Sequence, residues 1–386
     1  MRIALFSEVF LPKIDGITNR LDNTLRCLRD EGHEALVFAP AGSPAEHAGA
    51  RVIPVPGAPL PLHEGLRITA PDPRILYELW RFRPQVVHAV GPACLGVWGI
   101  AAARALRLPI VASYHTDLPR YLPGYGLGWL EPAIWPLLGG VHRSAHVNLA
   151  PSRFTRRELI DHGVSPVGVW RGAVDTDRFH PQRASLAMRL RLSGDVPDGP
   201  LLLYAGRLSP EKRLETFGPI LEAIPEARLA LVGDGPARVE LERMLPADRT
   251  TFTGFLRGDE LASAFASADV FVMPSTTETL GFVVLEAMAA GCAVVAAAAG
   301  GIPDLLDHGE SGLLYDPEQP DAAIEAISGL LRHPGRRRFL AMQARKRAEE
   351  SSWLAETRKL VDEYRKAVVL ASHRGLVRRV YRAFVG

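Results

Sequence analysis

Three cysteines in 386 residues leave little scope for covalent cross-linking. Cys27, Cys94 and Cys292 lie far apart and share no metal-ligand spacing, so they read as reduced thiols inside a cytosolic protein. Long apolar runs are missing too. The stretch nearest to one, 89–103, falls short of the roughly 18 uncharged residues that a spanning helix needs. Arg2 is followed by only a short apolar run before Glu8, which gives no reason to expect a secretory leader. Charge of one sign is scarce: 45 Lys and Arg stand against 43 Asp and Glu, so no electrostatic footprint for nucleic acid is visible. The first loop lacks GxGxxG, which removes the usual nicotinamide or flavin fingerprint. No repeat or low-complexity tract appears.

What is present is size and punctuation. A chain of this length defaults to two domains, and 47% hydrophobic with 23% charged residues is the balance of a soluble globular protein. An apolar run at 3–6, a loop with Pro12 and Gly16, a helical pattern over 18–29 and a second run at 35–39 predict a parallel sheet. Residues 57–73, rich in Pro and Gly, show no element, and long loops of this kind are often functional. A helix over 74–81 and strands at 86–89, 110–114, 147–150 and 167–169 complete the first sheet. Pro181, Gly194, Pro197 and Gly199 punctuate 175–200, which reads as a linker with one short helix. Strands at 201–205, 229–232, 251–254, 270–273 and 293–297 build a second parallel sheet, and helices follow over 321–332 and 336–369.

Ligands of open α/β sheets bind beyond the carboxyl ends of the strands, so the residues there are the candidates. In the second half, STTETLGFVVLEAMAAG at 275–291 follows a strand that Pro274 stops, and its helix starts near Gly281. The amides of Leu280, Gly281 and Phe282, together with the helix dipole, suit an anion. Gly281 lets a phosphate or sugar approach the backbone closely. Glu278 either binds sugar or ribose hydroxyls or complements the dipole, at about 0.3–1 kcal/mol. Glu286, inside the helix, is a second such carboxylate or part of a solvated face. Arg207 and Lys212 suit a diphosphate as planar fork and point charge, or they form a surface basic pair.

In the first half, Gly16 brings an amide to a phosphate or serves as a turn glycine. His115 hydrogen-bonds a reacting group or is a satisfied loop histidine. Tyr121, Tyr125, Trp129 and Trp135, mixed with Arg120 and Arg143, have the composition of an acceptor groove or membrane belt, and more often such aromatics are half-buried packing. Asp175-Thr176-Asp177 spells a metal-binding triplet, but its place in a linker favours a turn. The tail, 373–386, mixes Leu376, Val377, Val380 and Phe384 with Arg374, Arg378, Arg379 and Arg382. It is either a membrane-surface helix, at about 1 kcal/mol per basic residue, or a helix packed back on the first domain.

Together, Gly206-Arg207…Lys212, Val232-Gly233-Asp234-Gly235-Pro236 and Glu278…Gly281-Phe282…Glu286, with its Glu-x7-Glu spacing, resemble the family 4 glycosyltransferases of the GT-B fold over nearly the whole chain. The resemblance implies two Rossmann-like, doubly wound α/β domains facing a cleft. Residues 1–175 would form the acceptor-side domain, 176–360 the nucleotide-sugar domain, and 361–386 a tail returning to the first. It further implies a retaining transfer from a nucleotide sugar with no metal or other cofactor. Arg207 and Lys212 would hold the diphosphate, Glu286 the ribose, and Glu278 the donor sugar. The amides of Gly281, Phe282 and Gly16 would meet the sugar or diphosphate, Leu256 the base, and His115 the transferred sugar. Asp15 stands where the family commonly has a second glycine.

Phe10-Leu11-Pro12, Asn19-Arg20, Tyr114-His115-Thr116 and the 118–143 stretch look most like sulfoquinovosyl-diacylglycerol synthases and related bacterial glycolipid α-mannosyl- and α-glucosyltransferases. The expected reaction is therefore transfer of a hexose from a UDP- or GDP-sugar to a lipid or lipid-linked acceptor. Arg120, Tyr121, Tyr125 and Trp129 are the acceptor or membrane candidates. The expected location is the cytoplasm, with peripheral contact at the inner face of the cytoplasmic membrane left open. A soluble acceptor such as a sugar phosphate or glycerate, a sugar-nucleotide epimerase and a non-catalytic sugar-nucleotide binder are the rival readings.

Overall fold

The computed structural model describes residues 1–13, 15–59, 67–70, 72–115, 119, 128–319 and 321–385. The chain divides into two compact units: Met1–Pro119, Trp129–Gly172 and Trp353–Gly386 in the first, Ala173–Ser352 in the second.

The first unit is built on β1 (Arg2–Ser7), β2 (Glu34–Pro40), β3 (Glu46–His47), β4 (Ala50–Val55), a hairpin of β5 (Gly57–Pro59) and β6 (Arg67–Thr69), and β7 (Val86–Val90), β8 (Ile110–Ser113), β9 (Val147–Ala150) and β10 (Val167–Val169). Its main sheet runs β10-β9-β8-β7-β1-β2-β4-β3, parallel except for β3. Ile3, Ala4, Leu5 and Phe6 are all fully buried, because helices cover both faces of a parallel strand. Ile3 and Leu5 meet Leu21, Leu25 and Leu28 of the helix Gly16–Asp30, while Ala4 and Phe6 meet Ile75, Leu79 and Leu95 on the other face.

The second unit has one parallel sheet in the order β13-β12-β11-β14-β15-β16. Its strands are β11 (Leu201–Ala205), β12 (Arg228–Val232), β13 (Thr250–Gly254), β14 (Val270–Met273), β15 (Ala293–Ala297) and β16 (Leu313–Tyr315). Both sheets reverse their winding direction once, at β1/β7 in the first and at β11/β14 in the second. Each reversal is a switch point, where the loops leaving two neighbouring strands part and leave a crevice.

Three expectations are corrected. Residues 57–73 contain the β5–β6 hairpin, and the residues 60–66 within it lie outside the described set. Residues 175–200 are no loose linker. Met188 and Leu192 of the helix Leu186–Ser193 are buried in the second core, and the Arg189 guanidinium donates to the carbonyls of Pro197, Gly199 and Ser267 and to Asp269. The single helix expected over 336–369 is two, Pro334–Glu349 and Trp353–Val385. Ala344 and Ala348 pack in the second core, whereas Leu360, Val361 and Tyr364 pack in the first, so the chain changes units at 352–353 and not at 360. The side chains of 374–386, on which the tail's two readings turned, lie outside the described residues. No helix among the described residues is long and apolar enough to cross a membrane.

Candidate functional site

At the second switch point the loop after β11 carries Arg207 and Lys212, and the loop after β14 carries Glu278 and Gly281. Backbone contacts fix these loops. Gly206 N–H donates to Val232, Leu208 N–H to Asp234 and Ala237 N–H to Leu208. Gly233 has φ +138°, and a Cβ there would lie 1.9 Å from the Gly206 carbonyl oxygen, so only glycine lets the β11 and β12 loops meet. The Tyr204 hydroxyl donates to the Arg207 carbonyl at 2.9 Å, anchoring the arginine's backbone from below. On the other side, Gly301 N–H donates to the Glu278 carbonyl at 2.7 Å, tying the β15 loop to the β14 loop.

Lys212 Nζ donates to Glu278 Oε1 at 2.5 Å, with both side chains mostly buried. Glu278 is thus no helix-dipole residue: the helix Phe282–Ala289 begins four residues later, with Gly281 as its left-handed cap at φ +92°. A Cβ at Gly281 would come within 2.7 Å of Ile302 Cδ1, so the cap has to be glycine. Arg207 is exposed and makes no ion pair among the described residues. Glu286 is half-buried one turn into the helix, and desolvation pushes its carboxyl up to about 8, opposed by Arg178. Glu286 thus sits at the edge of the core and not on a fully exposed face. Leu256 is buried just after β13, beside an exposed Phe255, and Phe282 is half-buried. The second unit thus brings Lys212 and Glu278 into contact and sets Arg207, Gly281, Phe282, Glu286 and Leu256 in the strand-end loops and the first turns after them.

The first unit presents different chemistry. At its switch point the Glu8 side chain, buried after β1, accepts from the amides of Ala93 (3.0 Å) and Gly96 (2.8 Å) at the start of the helix Cys94–Ala105. Burial raises the Glu8 carboxyl while these amides pull it down. Gly16, exposed, opens the helix Gly16–Asp30, and Asp15 caps that helix by accepting from Thr18 N–H at 2.9 Å. His115 lies two residues past the end of β8. Its Nε2 lies 2.8 Å from Ser113 Oγ, and its ring meets Trp170 edge-on. Arg20, fully buried, donates to the Trp170 carbonyl and stacks over the Trp170 ring at 4.5 Å. Desolvation first, and the Arg20 charge second, hold the His115 imidazole well below its ordinary pKa.

Of the acceptor candidates, Trp129 is 74% exposed, whereas Arg120, Tyr121 and Tyr125 lie outside the described residues. Trp135 stacks on His162 at 3.7 Å, which is packing. Asp175 accepts from Arg178 N–H, the bond of a turn residue. Glu8, Ser113, His88 and Trp170 escaped the sequence reading. Nothing local marks them, since only the strand order brings them to the strand ends.

Comparison with known proteins follows the same division. Residues 14–178 match the model for Glycosyltransferase Family 4, and residues 199–333 that for Glycosyl transferases group 1. A sulfoquinovosyl transferase of Arabidopsis thaliana is 40% identical over 95% of this chain and 74% of its own. A GDP-mannose-dependent alpha-(1-6)-phosphatidylinositol monomannoside mannosyltransferase of Mycolicibacterium smegmatis is 30% identical over 92% of this chain and 95% of its own. Among solved structures, a sucrose-phosphate synthase from Thermosynechococcus elongatus superposes with a TM-score of 0.78 over 95% of this chain and 98% of its own, at 22% identity.

Proposed function

This chain belongs to glycosyltransferase family 4, and from that premise we propose that it moves a hexose from a UDP- or GDP-sugar to a lipid or lipid-linked acceptor, with retention, as an α-glycoside. That it is a glycosyltransferase using a nucleotide sugar follows from the family and its relatives. The observation that carries the donor half is the Lys212–Glu278 pair at the second switch point, beside the Gly281 cap and Arg207, which makes no ion pair among the described residues. A lysine has three N–H donors, so one can stay on Glu278 while another meets a phosphate oxygen. Glu278 accepts that bond through one oxygen and turns the other to a sugar hydroxyl. Arg207, Lys212 and the amides at Gly281 and Phe282 then meet the charge that develops on the departing diphosphate, and no metal ion is needed for this role. Glu286 takes the ribose hydroxyls, Leu256 borders the base, the Gly16 amide meets the diphosphate, and His115 is assigned to the transferred sugar. The lipid acceptor draws its support from the lipid named for the mycobacterial relative and from the exposed Trp129.

The test is transfer from labelled UDP- and GDP-sugars in the presence of EDTA, with and without vesicles carrying diacylglycerol and phosphatidylinositol. One donor should give an organic-extractable product whose anomeric proton is α, and Glu278→Gln should lower turnover at least about 100-fold. A water-soluble product formed equally well without vesicles would replace the acceptor reading, and a β-product would end the retaining one. Wild-type turnover by Glu278→Gln would remove the site assignment.

A further inference from the structure

Behind His115 the first unit buries a chain of polar groups, Tyr364–His88–Ser113–His115, with successive separations of 2.8 Å. Tyr364 comes from the helix Trp353–Val385, His88 from β7 and Ser113 from β8. Tyr364, His88 and Ser113 are all fully buried. The chain has a direction, because its far end allows only one. His88 Nδ1 is the hydrogen-bond partner of the Tyr364 hydroxyl, and no other acceptor reaches that hydroxyl among the described residues. A buried hydroxyl proton without an acceptor costs about 1–3 kcal/mol, so Tyr364 donates and Nδ1 accepts. His88 is neutral, kept so by desolvation and by the Arg20 charge, and therefore has a single N–H. That proton sits on Nε2 and goes to Ser113 Oγ. Ser113 also has one proton, and the acceptor left for it is His115 Nε2. The opposite polarity would put protons on His115 Nε2 and His88 Nδ1 and strand the Tyr364 proton.

We infer that Tyr364, acting through His88 and Ser113, holds His115 as its Nδ1–H tautomer, so that the ring edge away from Ser113 is a hydrogen-bond donor and not a base. Tyr364 and His88 are positioning residues for whatever His115 touches. In catalytic terms the inference rests on the reading of His115 as the group beside the transferred sugar. It deepens that reading: the imidazole supplies a hydrogen bond to a sugar oxygen and removes no proton from the acceptor. The Arg20 guanidinium near Trp170, with His88 and His142, reinforces this by opposing any second proton on His115.

The experiment is a long-range 1H–15N correlation spectrum of the full chain labelled at histidine, with His88 and His115 assigned through His88→Gln and His115→Ala. Wild-type protein should show the proton of His88 on Nε2 and that of His115 on Nδ1. Tyr364→Phe removes one hydroxyl, and His115 should then convert to the Nε2–H form or to a mixture, with kcat falling about tenfold and the KM for the nucleotide sugar unchanged. Should Tyr364→Phe fold poorly, Ser113→Ala cuts the same chain one step nearer and should likewise cost His115 its single tautomer. A wild-type His115 protonated on Nε2, or an unchanged His115 pattern in both variants, overturns the inference. Full turnover by His115→Ala would instead remove the role assigned to His115 in transfer and leave the tautomer result to stand on the spectra.

Discussion

The two units solve the same topological situation in opposite ways. Each has a parallel sheet with one reversal, and each sets a helix N-terminus at that reversal. In the first unit the helix Cys94–Ala105 is closed by the chain's own carboxylate, Glu8, bonded to two of its amides. In the second unit the carboxylate at the reversal, Glu278, bonds to Lys212, and the helix Phe282–Ala289 is capped by a bare glycine. A helix end already holding an anion has no use for another, whereas one flanked by Arg207 and Lys212 attracts it. The difference teaches that fold symmetry does not make sites symmetric. Where one carboxylate bonds decides which of these two helix ends is already occupied by the chain itself.

That contrast can be broken most severely at Lys212. Lys212→Ala should lower kcat/KM for the donor about 100- to 1,000-fold, as loss of a preorganised group facing a charged leaving group does. A fall of less than about threefold would mean that the switch-point pair is structural. Glu8→Ala should act on the other side. It strands two amides and should lower the stability of the first unit by about 1–3 kcal/mol, read by chemical denaturation, while calorimetry shows donor affinity within about twofold of wild type. Equal loss of donor affinity in both variants would erase the distinction.

A third break lies at Glu286. In the unfolded chain its carboxyl takes the ordinary value of 4.5, against about 8 in the folded protein. Below the lower value both states are protonated and nothing is gained or lost. Between the two values the unfolded chain releases a proton that the folded chain keeps, so native stability declines until about pH 8 and is level thereafter. Glu286→Gln should therefore gain Tm over wild type on going from pH 5 to pH 8. Donor affinity of the wild type should rise over the same interval, because ribose hydroxyls favour the ionised form. A flat difference between the two proteins across this range would show that Glu286 is solvated after all.

Much of this was legible in the chain. Fully buried parallel strands announce themselves as continuous apolar runs, and the strands 147–150, 167–169 and 293–297 stand where those runs lie. The residues proposed for the donor stood out because a glycine-capped turn, the cations Arg207 and Lys212 and the carboxylate Glu278 follow strands within a few residues. Glu8 was not, because its partners Ala93 and Gly96 are remote in sequence and meet it only through the β1–β7 pairing. The packed segment 175–200 was hidden as well. Proline and glycine speak of backbone shape, and nothing in the letters said that Arg189 would gather four acceptors around itself. The break at 350–352 carries neither proline nor glycine, so helical propensity ran straight across it. What stopped the helix there was the demand of two different cores.

The return of the chain at Trp353 also sets a timetable. Residues 173–352 are contiguous and can fold as soon as they emerge from the ribosome, while the first unit still lacks Leu360, Val361 and Tyr364 from its core. At synthesis rates of about 5–20 residues per second, that half waits roughly ten to forty seconds with its apolar helix face uncovered. The half that begins the chain is thus finished last, and chaperones would meet this protein through its amino-terminal sheet.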